Sequence, residues 1–492
     1  MAAIRQQILR RKPAAKLLAE AGPHAGGLKR ALRAFDLTLL GIGAIVGAGI
    51  FVLTGVAAAH YAGPAIMLSF VVAGFACAMA ALCYAEFAAM IPIAGSAYSY
   101  SYATMGELVG WIIGWDLVLE YAVGAAAVAV GWSGYLNVIL HGMGIHVPDA
   151  ITHAPGSGGV IDLPALLIVL LISGVLYVGI SESARLNSLI VIIKLFAIAV
   201  VIVGGLFFVR PSNWTPFAPF GWNGVMKGAA VIFFAYIGFD AVSTAAEEVI
   251  DPNRDLPIGI LASLFVCTAL YIVVAAVLTG MVPARAIDIK APLASAFVIR
   301  GLNFVAWIVS AGAVAGLSSV LLVLLLGQSR IFYAISRDGL LPAAFSRVHP
   351  RFRTPYIPTA LTGVAVGLTA ALLPIQEIAE LTNIGTLFAF VLVCLGVWIL
   401  RGVEPQMRRP FRTPLVPLVP ILGITFCLYL MASLPEVTWL RFFVWMAAGF
   451  VVYFRYGRFH SRLGDEASAI MNSTDLRAAA EDIEARRGSG LL

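Results

Sequence analysis

Apolar residues in this chain gather into about a dozen stretches near twenty residues long, set apart by short polar clusters. A bilayer hydrocarbon core of roughly 30 Å needs about 20 apolar residues per helical crossing. The stretches fall near residues 36–59, 65–90, 104–139, 163–180, 187–208, 225–248, 257–280, 303–333, 356–373, 377–400, 414–432 and 437–456. The pattern predicts an all-α membrane protein of about twelve transmembrane helices. Its division is a basic N-terminal segment over 1–34, a transmembrane domain over 35–458 and a polar tail over 459–492.

Composition agrees with the pattern. Of 492 residues 61% are apolar and 12% charged, about half the charged share of a soluble domain. The first 34 residues are polar and basic, without a short apolar region leading to a small-residue cleavage site, so no removed signal peptide is expected and the N-terminus should stay in the cytoplasm. With twelve crossings from that start, 25 Lys and Arg fall on the inner side and six on the outer, with Lys194 alone at mid-membrane. That asymmetry predicts a multi-pass protein of the cell membrane with both termini cytoplasmic. It makes the net charge of +6 a topology signal, so no nucleic-acid partner is expected. The five cysteines lie in predicted spans without C-x-x-C spacing and read as inert buried thiols, and the dispersed histidines suggest no metal site. The segment Ile4 to Ala21 reads either as an amphipathic helix on the inner leaflet or as a disordered tail, and the tail around Asp475, Glu481, Asp482 and Glu484 as a solvated helix or disorder.

Glycine interrupts two spans near mid-membrane. The first carries Gly41-Ile42-Gly43-Ala44-Ile45-Val46-Gly47-Ala48-Gly49-Ile50-Phe51, the sixth Phe233-Phe234-Ala235-Tyr236-Ile237-Gly238-Phe239-Asp240-Ala241. If spans one to five and six to ten are repeats, the breaks occupy matching places, and an odd number of crossings inverts the second repeat. Such paired interruptions point to a transporter's central site. The plainer reading is close helix packing, because Gly43 and Gly47 have small-x-x-x-small spacing. Unwinding in lipid frees N–H and C=O groups at a cost of several kcal/mol each, so it persists only where something satisfies them. An amino acid zwitterion would do so. Its carboxylate would accept from the N–H groups of Gly47, Ala48 and Gly49 at the positive end of a half-helix. Its ammonium would donate to carbonyls of Ile45, Phe234, Ala235 and Ile237.

Charges at membrane depth are candidates by default. Asp240 follows the second break, three residues before Ser243, and reads as a helix cap or as a direct participant in substrate or proton handling. Asp116 and Glu120 share a helix face; Glu120 is a candidate for water-mediated contact with a substrate amine or for proton transfer, with a structural carboxylate the alternative. Glu86 and Glu107, nearer span ends, read as interfacial or structural. Lys194 sits in Ser188-Leu189-Ile190-Val191-Ile192-Ile193-Lys194-Leu195-Phe196, too deep to snorkel easily. A desolvated amine there can bind and release a proton while hydrogen-bonded to carbonyls of the first break; the alternative is a permanently paired lysine.

Together these motifs resemble the amino acid, polyamine and organocation transporter superfamily, specifically the bacterial form of the cationic amino acid transporter family. The resemblance covers roughly residues 29–458. It rests on Gly41 to Phe51, on Phe233 to Glu248 running into Asp251-Pro252-Asn253-Arg254-Asp255-Leu256-Pro257, on Arg330 to Pro342 and on Leu381-Thr382-Asn383-Ile384-Gly385-Thr386-Leu387. It implies an inverted five-plus-five fold shared with sodium-coupled amino acid transporters, plus two C-terminal helices. It also implies that the Lys194 ammonium takes the place of a sodium ion, so the proton is the coupling ion and no cofactor is needed, and that an aromatic at Phe234 helps to gate the site. Two positions depart from the family's pattern. Ala48 stands where Ser or Thr is common, and Leu324 stands where animal members with cationic substrates carry a small residue. A leucine there would shorten the pocket, which predicts small neutral substrates such as alanine over arginine.

The expected function is therefore proton-coupled amino acid symport, with an amino acid or polyamine exchanger on the same fold as the alternative. The expected partners are an amino acid and membrane lipid, with a small membrane subunit left open. A channel would need a pore loop or charged ring, and an enzyme a nucleophile–base pair or metal cluster at membrane depth.

Overall fold

The computed structural model describes residues 10, 30–91, 96–179 and 184–463. The proposed amphipathic segment and the acidic part of the tail lie outside the described residues. The described chain is almost wholly helical, apart from a two-residue hairpin of β1 (Thr152–His153) and β2 (Ile161–Asp162). Among the described residues seven helices are long and apolar enough to cross a membrane and four are shorter apolar helices; with each interrupted span taken as one unit, the helices group into the twelve crossings expected.

The first crossing is α1 (Ala34–Ile45), a gap, then a π segment (Gly49–Leu53), the single turn α2 (Thr54–Ala57) and a second π segment (Ala58–Ala62). Crossings two to five are α3 (Ile66–Met90), α5 (Glu107–Gly142), α6 (Leu163–Val178) and α7 (Ala184–Leu206), with a short α4 (Ser96–Thr104) before α5. The sixth is α8 (Gly221–Ile232), a 3-10 turn (Phe233–Tyr236), a second gap and α9 (Ala241–Thr244). Then come α10 (Pro252–Met281), a short α11 (Pro292–Ile299), α12 (Asn303–Arg337), α13 (Tyr356–Leu372), α14 (Ile375–Val403), α15 (Leu418–Ala432) and α16 (Glu436–Val452). Prolines 355, 374 and 435 stand immediately before α13, α14 and α16, where a missing N–H costs no helical bond. The sequence did not reveal α4, α11 or the hairpin, which are too short or too polar to register as crossings.

The inverted repeat shows in which helices touch. A two-fold relation makes each element meet its own counterpart, and α3 packs on α10, α5 on α12, α6 on α13, and the π segment Gly49–Leu53 on the turn Phe233–Tyr236. The fifth crossing, α7, packs on α1, α10 and α12; the tenth, α14, packs on their counterparts α8, α3 and α5. The two last helices cover the outside of this core, α15 on α3 and α14, α16 on α14 and α5. Three tryptophans lock α16 to α5: Trp111 Nε1 donates to Gly449 O at 3.0 Å, and Trp115 and Trp445 donate to each other's carbonyls across stacked rings 4.6 Å apart.

Polar ties close the two ends. At the end carrying the described chain termini, Leu32 pairs with Val249, and Ala31 N donates to Glu248 O at 2.8 Å, which joins the start of the first crossing to the end of the sixth. Glu107 there accepts from Tyr453 at 2.9 Å and from Ser461. Glu86 accepts from Arg401 at 2.7 Å and from the N–H of Thr413 at 2.8 Å, and it pairs with the Arg409 guanidinium at 3.2 Å. Both carboxylates are structural. At the opposite end Asp162 accepts from Ser133 at 2.6 Å and faces Lys290 at 3.5 Å. Burial pushes the Asp162 carboxyl up from its ordinary range and the Lys290 amine down.

Glu86→Ala would leave two arginines, one of them 5% exposed, without their carboxylate. Breaking a buried pair this way costs about 3–5 kcal/mol. A lowered thermal unfolding midpoint in detergent, with Glu86→Gln intermediate between Ala and wild type, is the expected result.

Candidate functional site

The gap in the first crossing begins after Ile45. Gly41 and Gly43 lie inside α1 and serve packing: a Cβ would stand 2.4 Å from Ser263 Oγ and 2.6 Å from Val191 Cγ2 respectively. The glycines that shape the gaps are Gly49 and Gly238. A Cβ at Gly49 would fall 2.2 Å from Ala235 Cα, so the two broken spans touch backbone to backbone there. Gly238 has φ +113°, a conformation that favours glycine, with Ala44 O close against it.

Between the gaps lies a cavity of about 30 Å³, space for roughly two waters. Of the residues expected to hold substrate, Ile45, Gly47, Ala48, Gly49, Glu120, Phe234, Ile237 and Leu324 all line it, and so does Asp240. Ala44 and Gly238 from the two interrupted runs line it too, as do Tyr121, Gly124, Val128, Val320 and Val323, which the linear pattern did not single out. Ala235 stands behind the wall, with its carbonyl accepting from Tyr271 at 2.9 Å. Lys194 is also outside the cavity, 1% exposed, with Nζ donating to Gly43 O at 2.7 Å and its stem packed on Gly316. It meets the broken span one turn before the gap. Gly47, Ala48 and Gly49 open the outgoing half of the first crossing, where the first N–H groups of a helix have no intrahelical acceptor.

Several carbonyls at and beside the gaps have side-chain partners from other spans. Tyr271 on α10 bonds both Ile45 O at 2.8 Å and Ala235 O at 2.9 Å. One hydroxyl carries one proton, so at any instant it serves one of these carbonyls fully and the other is available to a second donor. Asn383 on α14 donates to Ala230 O at 2.7 Å and Val231 O at 2.8 Å, and Ile237 N closes on Phe234 O at 3.1 Å. Asn383 stood in one of the quoted motifs without a role; Tyr271 carried no signal, being one tyrosine in an apolar run.

The expectation that Asp240 caps the outgoing half-helix is corrected. Its side chain makes no capping bond; its backbone carbonyl takes the N–H of Ser243 at 2.9 Å and the hydroxyl at 2.6 Å. The carboxyl instead joins a buried group with Glu120, Tyr84, Tyr100 and Tyr121. Glu120 faces the Thr386 hydroxyl, and Asp116, one turn away, is fully buried against Gly385.

Two substitutions follow from this geometry. Gly49→Ala sets a methyl against backbone that cannot yield, and loss of both folded protein and ligand binding is expected, whereas Gly47→Ala meets only Val320 Cγ2 at 3.2 Å and should fold. Tyr271→Phe keeps the ring contacts with Phe70 and Tyr236 but strips two buried carbonyls of their donor. That costs about 1–3 kcal/mol, to be read as a lower unfolding midpoint in detergent.

Comparison with known proteins identifies the family. The sequence profile of the family described as "Amino acid permease" matches residues 32–454. The chain is 50% identical to the methylthioribose transporter of Bacillus subtilis, over 93% of this chain and 99% of that protein. It is 51% identical to the branched-chain amino acid permease of the same organism, over 89% and 95%. It is 39% identical to the vacuolar cationic amino acid transporter 4 of Arabidopsis thaliana, over 79% and 66%. The match to the family profile over residues 32–454, with relatives 50% and 51% identical over nearly their whole length, shows that this multi-pass membrane protein belongs to the amino acid permease family.

Proposed function

We propose that this chain is a secondary active transporter that takes up L-amino acids in symport with protons, with small neutral substrates such as alanine favoured over arginine. The observation that carries the reading is the Lys194–Gly43 bond, which puts the one amine at membrane depth on the broken span itself. An ammonium there holds the first half-helix. Loss of its proton removes the charge from that bond, so the position of the span and the protonation of the amine are linked. The substrate carboxylate would take the N–H groups of Gly47, Ala48 and Gly49. Its ammonium would take whichever carbonyl of Ile45 and Ala235 Tyr271 leaves free, with the Ile237 and Phe234 carbonyls beside it and Glu120 reached through water. Asp240 is a second candidate for proton handling. No cofactor enters this cycle.

The cavity supports the size preference, because Leu324 stands in its wall. Two relatives of near-equal identity, one named as a methylthioribose transporter and one as a branched-chain amino acid permease, differ in substrate chemistry. The substrate is therefore argued from the lining and not from identity. The 25-to-six distribution of Lys and Arg supports cytoplasmic termini, and the bacterial relatives support the cell membrane. Membrane lipid is the surrounding partner, and a small membrane subunit remains a question for copurification.

The test is radiolabelled alanine uptake into proteoliposomes without internal amino acid, with and without an inward proton gradient, for wild type and Lys194→Ala. Gradient-driven accumulation that the variant loses is the expected outcome. Uptake that begins only once amino acid is loaded inside would identify an exchanger and remove Lys194 from the coupling step.

A further inference from the structure

Along α5 most glycines are demanded by packing. A Cβ at Gly110, Gly114, Gly131 or Gly134 would come within 2.9 Å, 2.8 Å, 2.7 Å or 2.8 Å of a neighbouring helix or loop. Gly124 is the exception in mid-helix. A Cβ there would meet Thr382 Cγ2 at 3.6 Å and Leu324 Cδ1 at 3.8 Å, ordinary van der Waals separations. Its φ is not positive, so no backbone strain asks for glycine either. Glycine in a helix interior is nevertheless less stable than alanine. The position accepts that penalty with no structural return, and it lies in the wall of the central cavity.

We propose that Gly124 and Leu324 form the end of a side-chain subsite for an uncharged, branched aliphatic substrate, with Gly124 supplying the room for the branch. Val128, Val320 and Val323 line the same cavity, and apolar side chains of this kind suit a valine- or leucine-like substrate side chain. Glu120, one turn before Gly124, faces Thr386. The inference rests on the reading of the cavity as an amino acid site and extends its substrates from alanine to the branched aliphatic class. With only about 30 Å³ open, a methyl at 124 consumes much of the space that a branched side chain would use. Discrimination by one methyl group in an apolar pocket is worth roughly 10–200-fold.

The experiment compares wild type with Gly124→Ala in proteoliposomes, and reads the ratio of the leucine KM to the alanine KM by uptake and by ligand-induced thermal shift in detergent. The expected result is a ratio raised by about tenfold or more, with the double variant Gly124→Ala, Leu324→Ala returning it toward wild type. A ratio within about twofold of wild type, or leucine and alanine weakened equally as a general helix effect would weaken them, overturns the proposal. Wild type that binds neither amino acid overturns the reading of the cavity as an amino acid site, a separate result from an unchanged ratio.

Discussion

A hydroxyl with a single proton and two carbonyls to serve holds the centre of this protein together. Tyr271 reaches Ile45 O on one broken span and Ala235 O on the other, at nearly equal distances. Inside a bilayer no water replaces a missing partner, so a helix can be interrupted only where donors and acceptors arrive from elsewhere. They arrive from the fifth, seventh and tenth crossings, through Lys194, Tyr271 and Asn383. The broken spans are therefore held in shape by their neighbours. A movement of those neighbours alters which backbone groups at the cavity are free, and so couples the state of the site to the packing of the bundle.

The repeat explains why such an arrangement is stable. Each half brings one interrupted span to the axis, and the halves meet through counterpart helices, so the costly irregular backbone lies at the most enclosed part of the structure. The contact of Gly49 with Ala235 is the point where the two irregular segments meet most closely. Around this core the charges divide by location. Glu86 and Glu107 belong to ties at the end carrying the termini, while Glu120 and Asp240 face the cavity. These four buried carboxylates thus fall into two kinds: bonded ties near the ends of spans, and groups at the cavity.

The residues that line the cavity were largely legible because the two gaps are a backbone feature. A glycine-interrupted apolar run announces that N–H and C=O groups have been freed, whatever the flanking side chains, and nine of the eleven named positions line the cavity. Ala235 and Lys194 sit just behind it, each engaged with the broken backbone. The cap assigned to Asp240 failed because short spacing to Ser243 fixes only the chance of a local bond. In the folded chain the backbone carbonyl takes that bond and the carboxyl turns to groups from other helices. The wall made by Tyr121, Gly124, Val128, Val320 and Val323 was illegible, since apolar residues facing a cavity and apolar residues facing lipid look alike in a linear string.

Length and spacing of the apolar stretches, with the position of each basic residue, determined the membrane class, the number of crossings, the pairing of the first and sixth spans and the sides predicted for the loops, because the bilayer acts on every segment separately and in the same way. Tertiary structure decided what no single segment contains. It set which glycines serve packing and which serve the site, gave Tyr271 and Asn383 to the broken carbonyls, and placed Gly124 opposite Leu324. Most of these depend on contacts between residues more than a hundred positions apart, and the partner of a buried polar group is chosen by geometry across helices.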